Sequence, residues 1–256
     1  MSDWLNLIFR WGHVIAGVMW IGHLYFFNFV NSQVAKTYDA DSKKKVVPEL
    51  MPRALYFFRW GAAWTWITGI LLLGIVYYMG GNLLDPTSTM SAGVGATIGL
   101  AVIILGFVVY DVLWKSPLKA NPFAGTVVSL VLLAGLAWWL SHLFAGRAVF
   151  IHIGALFGTS MAANVWMRIW PAQRKIIAAI KAGQAPDAAL GAVAGMRSKH
   201  NTYMSVPLLL LMVSNHYPMV YGGPYGWMWA IAFVIVGFLF TYWLYAKSAT
   251  AAPAKY

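Results

Sequence analysis

Long apolar segments constrain the fold of this chain more than any other feature of its sequence. A helix that crosses a bilayer needs roughly 20 mostly apolar residues, and about seven segments meet that requirement. They lie at about 7–30, 56–79, 94–114, 125–145, 149–167, 202–217 and 226–246. An open sheet is excluded because backbone groups in lipid must form their hydrogen bonds within the protein. The sequence therefore predicts an all-α integral membrane bundle that forms one domain over residues 1–256.

The composition agrees with a membrane protein and excludes several kinds of site. Charged residues make up only 10% of the chain, whereas soluble domains carry about 25%. Cysteine is absent from the whole sequence, which rules out disulfides, thiolate metal sites and covalently attached c-type haem. The sequence also lacks a phosphate-binding glycine loop, a nucleophile elbow and an HExxH motif. These absences exclude the common soluble-enzyme classes.

The distribution of basic residues predicts the orientation of the bundle. All but two of the 18 lysines and arginines lie in or beside four connections, and the exceptions are Arg10 and Arg147. The four connections are 31–54, 115–124, 168–200 and 247–256. Because cytoplasmic connections carry the excess of positive charge, we expect the N-terminus outside and the C-terminus in the cytoplasm. The net charge of +11 then has a membrane explanation, and we expect no nucleic-acid partner.

Six histidines are the main chemical signal. With this orientation, four of them share the outer layer of the membrane, and two lie in its middle or inner half. The outer four are His13, His142, His152 and His216, and the other two are His23 and His200. Neutral imidazole ligates haem iron and copper. We predict one haem b, held by His13 with one of the other outer histidines. As an extension of this prediction, a second haem b would be held by His23 and His200. Copper at the outer histidines is the alternative.

The other polar residues inside or beside the predicted spans have two interpretations each. Arg10 and Arg59 each precede a tryptophan and could bind a haem propionate or an anionic substrate, or could simply extend to the membrane surface. Asp111 is a functional candidate because it is a carboxylate inside a predicted span, but Lys115 follows at i+4 and could pair with it. Asparagines predicted to join helices by hydrogen bonds are Asn164, Asn201 and Asn215.

Local patterns predict further features of the helices. QRKIIAAIKAGQ at 173–184 repeats apolar residues at helical spacing and ends near a glycine, which predicts an amphipathic helix along the cytoplasmic interface. The prolines in WP at 170–171 and HYP at 216–218 are predicted to end the fifth and sixth spans. Small residues that let a flat ring enter between helices are Gly12, Gly17, Gly22, Gly69, Gly154 and Gly158.

Four segments carry a family resemblance. They are WLNLIFRWGHVIAGVMWIG at 4–22, MPRALYFFRWGAAWTWITG at 51–69, NVWMRIWPAQRKI at 164–176 and RSKHNTYMSVPLLLLMVSNHYP at 197–218. Together they resemble the urate-oxidase N-terminal domain family, which is the membrane domain of cytochrome-c-coupled urate oxidases. The resemblance runs from residue 4 to about 246 and implies a multi-pass redox protein of the bacterial inner membrane. His13, His200 and His216 match the family's motif positions, whereas the other three histidines rest on the depth argument.

The resemblance leaves three functions open. The favoured one is a haem-b-binding membrane redox protein that passes electrons to or from a separate cytochrome c or respiratory oxidase. The second is a urate oxidase membrane subunit, an oxidoreductase that uses an external cytochrome c. In that family a c-type cytochrome follows the membrane domain, but this sequence has no CxxCH, and His23 stands where a small hydroxyl residue is expected. The third function is a non-catalytic accessory subunit of a respiratory complex.

Overall fold

The structure is a computed structural model that describes residues 2–251. Residues 1 and 252–256, which are the two ends of the predicted domain, lie outside the described residues. Within the described part, every regular element is helical, which confirms the all-α prediction. The long helices are α1 (Ser2–Tyr25), α2 (Ala40–Leu73), α3 (Ala92–Leu113), α4 (Pro122–Ser141), α5 (Gly146–Asn164), α6 (Trp170–Lys181), α7 (Ala188–Val213) and α8 (Gly226–Thr250).

Six helical runs in the described residues are long and apolar enough to cross a membrane. They are Asp3–Thr37, Ala40–Tyr78, Ala92–Leu113, Pro122–Ser141, Gly146–Lys181 and Gly226–Thr250. The chain therefore has the character of a multi-pass membrane protein. The predicted span at 202–217 begins in the second half of α7 and extends past the end of that helix at Val213. The first half of α7 contains charged residues such as Arg197 and Lys199. The count of seven spans and the orientation of the termini stay predictions.

Most of these runs expose apolar side chains, as lipid contact requires. Ile104 and Leu105 on α3 are 59% and 61% exposed, and Val131 on α4 is 65% exposed. Such surfaces would be unfavourable in water, at about 25 cal/mol for each Å² of apolar area. The run through α5 is different, because 78% of its apolar window is buried against at most 28% in the other runs. Neighbouring helices, and not lipid, therefore surround α5.

Three of the described helical runs contain a π-helical segment. The segments are Phe26–Asn31 after α1, Gly74–Tyr78 after α2 and Val165–Ile169 between α5 and α6. A π turn holds one residue more than an α turn and is frequently found at functional sites. Each segment contains or adjoins a polar side chain that forms a hydrogen bond to another helical segment, namely Asn28, Tyr77 or Asn164.

The prolines predicted to end two spans behave differently. Trp170 and Pro171 do not end the fifth span, because the chain continues through Val165–Ile169 directly into α6, with Pro171 in the first turn of that helix. Proline is tolerated there, since the first turn needs no internal N–H donor. The prediction at HYP is confirmed. Helix α7 ends at Val213, a 3-10 turn covers Ser214–His216, and Pro218 begins a separate short helix.

The chain divides into two compact units. Among the described residues, the first unit contains 2–10, Thr68–Ser160 and Val206–Gly237, and the second contains Trp11–Ile67, Met161–Ser205 and 238–251. Glycine brings helices together inside each unit. In the second unit, a Cβ on Gly61 of α2 would lie 3.0 Å from the backbone nitrogen of Trp20 on α1. Any larger residue there would push the two backbones apart.

Candidate functional site

The six histidines are shared equally between the two units. His142, His152 and His216 belong to the first unit, and His13, His23 and His200 belong to the second. Their surroundings differ in exposure and in the hydrogen bonds of the imidazole ring. Those differences decide which ring nitrogens can serve a ligand.

His23 has one ring nitrogen occupied and one available. Its Nδ1 lies 2.7 Å from the carbonyl oxygen of Met19, one helical turn earlier. A carbonyl only accepts hydrogen bonds, so Nδ1 must carry the proton and Nε2 keeps its lone pair. The ring also stacks on Phe57 of α2, with centroids 6.0 Å apart and planes inclined by 22°. A carbonyl that accepts from one ring nitrogen fixes the tautomer and orientation of a metal-bound histidine in the same way.

An open apolar groove lies beside His23. Its volume is about 430 Å³. The residues that line it are Val18, Met19, Gly22, His23, Phe26, Leu50 and Ala54. A Cβ added to Gly22 would meet no atom within 4 Å, so this predicted small residue does leave free space. Among the lining side chains, the imidazole of His23 is the one strong hydrogen-bonding group. We call this site the His23 groove.

His152 is enclosed by protein atoms on both sides of its ring. It is fully buried, its Nδ1 lies 2.8 Å from the carbonyl oxygen of Ala148, and its Nε2 lies 3.1 Å from the hydroxyl of Tyr78. Phe144 packs against it with ring centroids 4.9 Å apart. In this arrangement His152 joins α5 to the π segment Gly74–Tyr78. A metal could reach Nε2 only if Tyr78 moved away.

The remaining histidines lie in less defined surroundings. His142 is exposed at the end of α4, where its Nδ1 lies 2.8 Å from the carbonyl oxygen of Trp138. His216 is exposed in its 3-10 turn, and His13 and His200 are partly buried. In the part of the chain that the structure describes, no group of three or more His, Cys, Asp or Glu side chains could hold a metal ion.

Asn215 is the centre of a polar cluster in the first unit. Its Oδ1 accepts hydrogen bonds from the hydroxyl of Tyr77 at 2.7 Å and from Nε of Arg147 at 2.8 Å. Its own amide nitrogen donates to the carbonyl oxygen of Met212 at 3.0 Å. The prediction that Asn215 joins helices is confirmed. The roles of Tyr77 and Arg147 were not predicted. The only signal for Tyr77 in the sequence is a pair of tyrosines, at 77–78, at the end of a predicted span.

Asn164 and Asn201 form the corresponding contact in the second unit. The amide nitrogen of Asn164 donates to Oδ1 of Asn201 at 2.8 Å, and Asn201 donates to the carbonyl oxygen of Met161 at 3.0 Å. Both asparagine side chains are fully buried. This pair ties α5 to α7, as the sequence predicted.

Asn28 is a second polar centre of that unit and was missed by sequence reasoning. It lies in the π segment Phe26–Asn31, where its amide nitrogen donates to Oγ of Ser198 on α7 at 2.8 Å. Its Oδ1 accepts a hydrogen bond from the hydroxyl of Tyr245 on α8 at 2.9 Å. One side chain thus connects three helical runs. The only sequence signal is an asparagine inside an apolar segment, FFNFV.

The two arginines predicted to bind anions make other contacts. The guanidinium carbon of Arg59 lies 4.1 Å from the ring centre of Trp170 and 5.4 Å from that of Tyr56, which are cation–π contacts. Arg10 is exposed and donates to the side chain of Asn6, one turn earlier, at 3.2 Å. Neither contact excludes the binding of an anion, but each gives its arginine side chain a partner within the protein.

Asp111 forms an ion pair near the end of α3. Its Oδ2 lies 2.6 Å from Nζ of Lys115, and the two side chains are 10% and 54% exposed. The predicted i+4 pair is therefore present. The structural alternative for Asp111, an i+4 pair with a lysine, therefore has its cation in place.

These observations define a class of protein: a helical bundle of membrane character, tied together by buried polar side chains, with one imidazole facing an open apolar groove. The chain belongs to the urate oxidase N-terminal family, because the model of that family matches residues 1–256. This match confirms the resemblance inferred from the four sequence segments. Comparisons with curated proteins and with solved structures find no match.

Proposed function

We propose that this protein is a haem-b-binding redox protein of the bacterial inner membrane that passes electrons to or from a separate cytochrome c or respiratory oxidase. The observation that supports this best is the imidazole of His23, which presents a lone pair at Nε2 next to an apolar groove. A bound haem b would supply a one-electron iron couple whose potential depends on the axial ligand and on burial.

The residues of the His23 groove suit this cofactor in three respects. The carbonyl of Met19 holds the proton on Nδ1 and so keeps Nε2 in the form that ligates iron. Phe57 restrains the plane of the imidazole. Gly22 leaves free space, and the neighbouring side chains are apolar, as the faces of a porphyrin require. His200, which belongs to the same unit, is the predicted second axial ligand.

An absorption spectrum of the purified protein tests this proposal. We expect b-type bands on reduction, at about one haem per chain, and their loss in His23→Ala. His142→Ala is the matched control, since that imidazole is exposed and does not line the His23 groove, so the His142→Ala protein should keep the b-type bands. In His23→Gly, added imidazole should restore the bands, which separates a lost ligand from a lost fold. A wild-type protein without b-type bands, or a His23→Ala protein that keeps them, contradicts the proposal.

Family membership favours a second candidate, the urate oxidase membrane subunit that reduces an external cytochrome c. Oxidation of urate by two electrons would reduce two molecules of cytochrome c. The assay follows urate loss with and without added oxidised cytochrome c, and it also measures hydrogen peroxide. Urate loss that requires cytochrome c and forms no peroxide supports this candidate. Absence of both haem and urate oxidation, together with co-purification of a respiratory oxidase, would instead indicate an accessory subunit.

A further inference from the structure

A second cavity, of about 630 Å³, lies in the second unit, between the beginning of α2 and the end of α6. Its lining residues are Lys44, Lys45, Pro48, Glu49, Ile180, Lys181, Ala182 and Gly183. None of them is used by the proposed haem site. We call this site the lysine cavity.

The lysine cavity has an excess of positive charge. Three lysines line it against one carboxylate, Glu49. That carboxylate already forms an ion pair with Arg53, one turn further along α2, and Lys181 also interacts with it electrostatically. The charge of Glu49 is therefore largely balanced by Arg53, and the amines of Lys44 and Lys45 remain to attract an anion.

The end of α6 shapes the other wall of the cavity. Gly183 has a φ of +70°, a left-handed conformation that glycine adopts without strain and that commonly ends a helix. The N–H groups of Gly183 and Gln184 donate to the carbonyl oxygens of Ile180 and Ala179, at 3.0 and 2.9 Å. This turn places Lys181 and the apolar Ile180 on the same cavity wall. Cationic and apolar groups thus lie side by side.

We propose that the lysine cavity binds the phosphate headgroup of an anionic phospholipid. Lysine is a common phosphate ligand, and basic pockets at the membrane surface bind such headgroups. The apolar side chains of Pro48, Ile180 and Ala182 suit the glycerol and the first methylene groups of the lipid. Three lysines suit a headgroup with two phosphates, as in cardiolipin, better than a single phosphate.

The test measures the melting temperature of the full chain, purified in detergent and stripped of lipid, as lipid is added. We expect cardiolipin to raise the melting temperature and phosphatidylcholine to leave it unchanged. Lys44→Gln, Lys45→Gln and Lys181→Gln should each weaken the apparent affinity for cardiolipin about fivefold. Lys43→Gln is the matched control, because this lysine is exposed on the same helix and does not line the cavity. It should retain the wild-type affinity.

Three results would overturn this proposal. One is a triple lysine variant that binds cardiolipin as tightly as the wild type. Another is an equal loss in Lys43→Gln, which would indicate diffuse attraction to the whole basic surface. The third is an equal stabilisation by inorganic pyrophosphate, which would assign the cavity to a soluble phosphate compound. The variants should melt at the wild-type temperature without lipid, because both Lys44 and Lys45 are exposed.

Discussion

Replacing Gly99 by alanine tests whether His152 is the tightly packed structural residue described above. A Cβ at this position would lie 2.5 Å from Nε2 of His152 and 2.7 Å from the hydroxyl of Tyr78. His152 cannot retreat easily, since its Nδ1 is held by the carbonyl of Ala148 at 2.8 Å. The added methyl group must therefore separate His152 from Tyr78 and break their 3.1 Å hydrogen bond.

The expected loss of stability follows from three contributions. Overpacking in a well-packed core costs about 1–3 kcal/mol, and the lost hydrogen bond adds about 0.5–1.5 kcal/mol. The better helix propensity of alanine returns about 1 kcal/mol. The net change in the free energy of unfolding is then a loss of about 0.5–3.5 kcal/mol, which in a chain of this size lowers the melting temperature by about 1–14 °C.

Thermal unfolding of the purified protein in detergent measures this change. Gly93→Ala is the matched control, because it lies on the same helix and its Cβ would meet no atom within 4 Å. That variant should be as stable as the wild type or more so. Combining Gly99→Ala with Tyr78→Phe should cost less than the sum of the two single changes, since removing the hydroxyl relieves part of the clash. Equal melting temperatures for Gly99→Ala and Gly93→Ala would refute the reasoning.

Three further changes should have measurable effects. Asn28→Ala removes hydrogen bonds to two other helices and should lower the free energy of unfolding by about 1 kcal/mol in denaturant titrations, at about 0.6 kcal/mol for each bond in a membrane protein. Lys115→Met leaves the nearly buried Asp111 without its cation and should cost about 1–3 kcal/mol in the same assay, the cost of an unsatisfied polar group beside a half-exposed partner. Thr87→Val should raise the pKa of Asp85, measured by NMR titration, because hydrogen bonds from Thr87 lower it below the ordinary 3.8. Those hydrogen bonds stabilise the folded state above pH 3.8. The stabilisation is lost as the pH falls through the lower pKa of Asp85 in the folded state.

Each of these predictions has its own contradicting outcome. An Asn28→Ala protein with wild-type stability would mean that the hydrogen bonds are replaced by water or by neighbouring groups. A Lys115→Met protein that becomes no less stable would show that the Asp111 carboxylate reaches solvent without its partner. An unchanged pKa of Asp85 in Thr87→Val would show that the loop backbone, and not the threonine hydroxyl, sets its protonation.

The sequence predicted the elements that depend on composition and spacing. Apolar segments identified the long helices, and the polar asparagines Asn164, Asn201 and Asn215 were correctly assigned to contacts between helices. An i+4 spacing was enough to predict the pair of Asp111 and Lys115. In all these cases the structure is determined by neighbouring residues in the chain or by contact with lipid. A single sequence is therefore enough to predict it.

The surroundings of the histidines could not be predicted in the same way. Depth in the membrane specifies the level of a side chain but not its direction around the helix axis. His152 and His142 were placed at the same level, yet one ring is buried between Tyr78 and Ala148 and the other is exposed. For His23, the angle around the axis places the ring beside Phe57 and the groove, and this depends on packing with α2 that no local pattern encodes.

The π segments have a consequence for comparisons between relatives of this chain. A single-residue deletion within Phe26–Asn31, Gly74–Tyr78 or Val165–Ile169 could restore an ordinary α turn, and an unbroken helix would survive. Everything beyond that point would keep its direction around the helix axis, because the π turn already accommodates one extra residue, so the same side chains would meet each neighbour. Homologues could therefore differ by one-residue gaps inside their helices without changing which side chains meet beyond the gap, and alignments that admit gaps only in loops would pair the wrong positions.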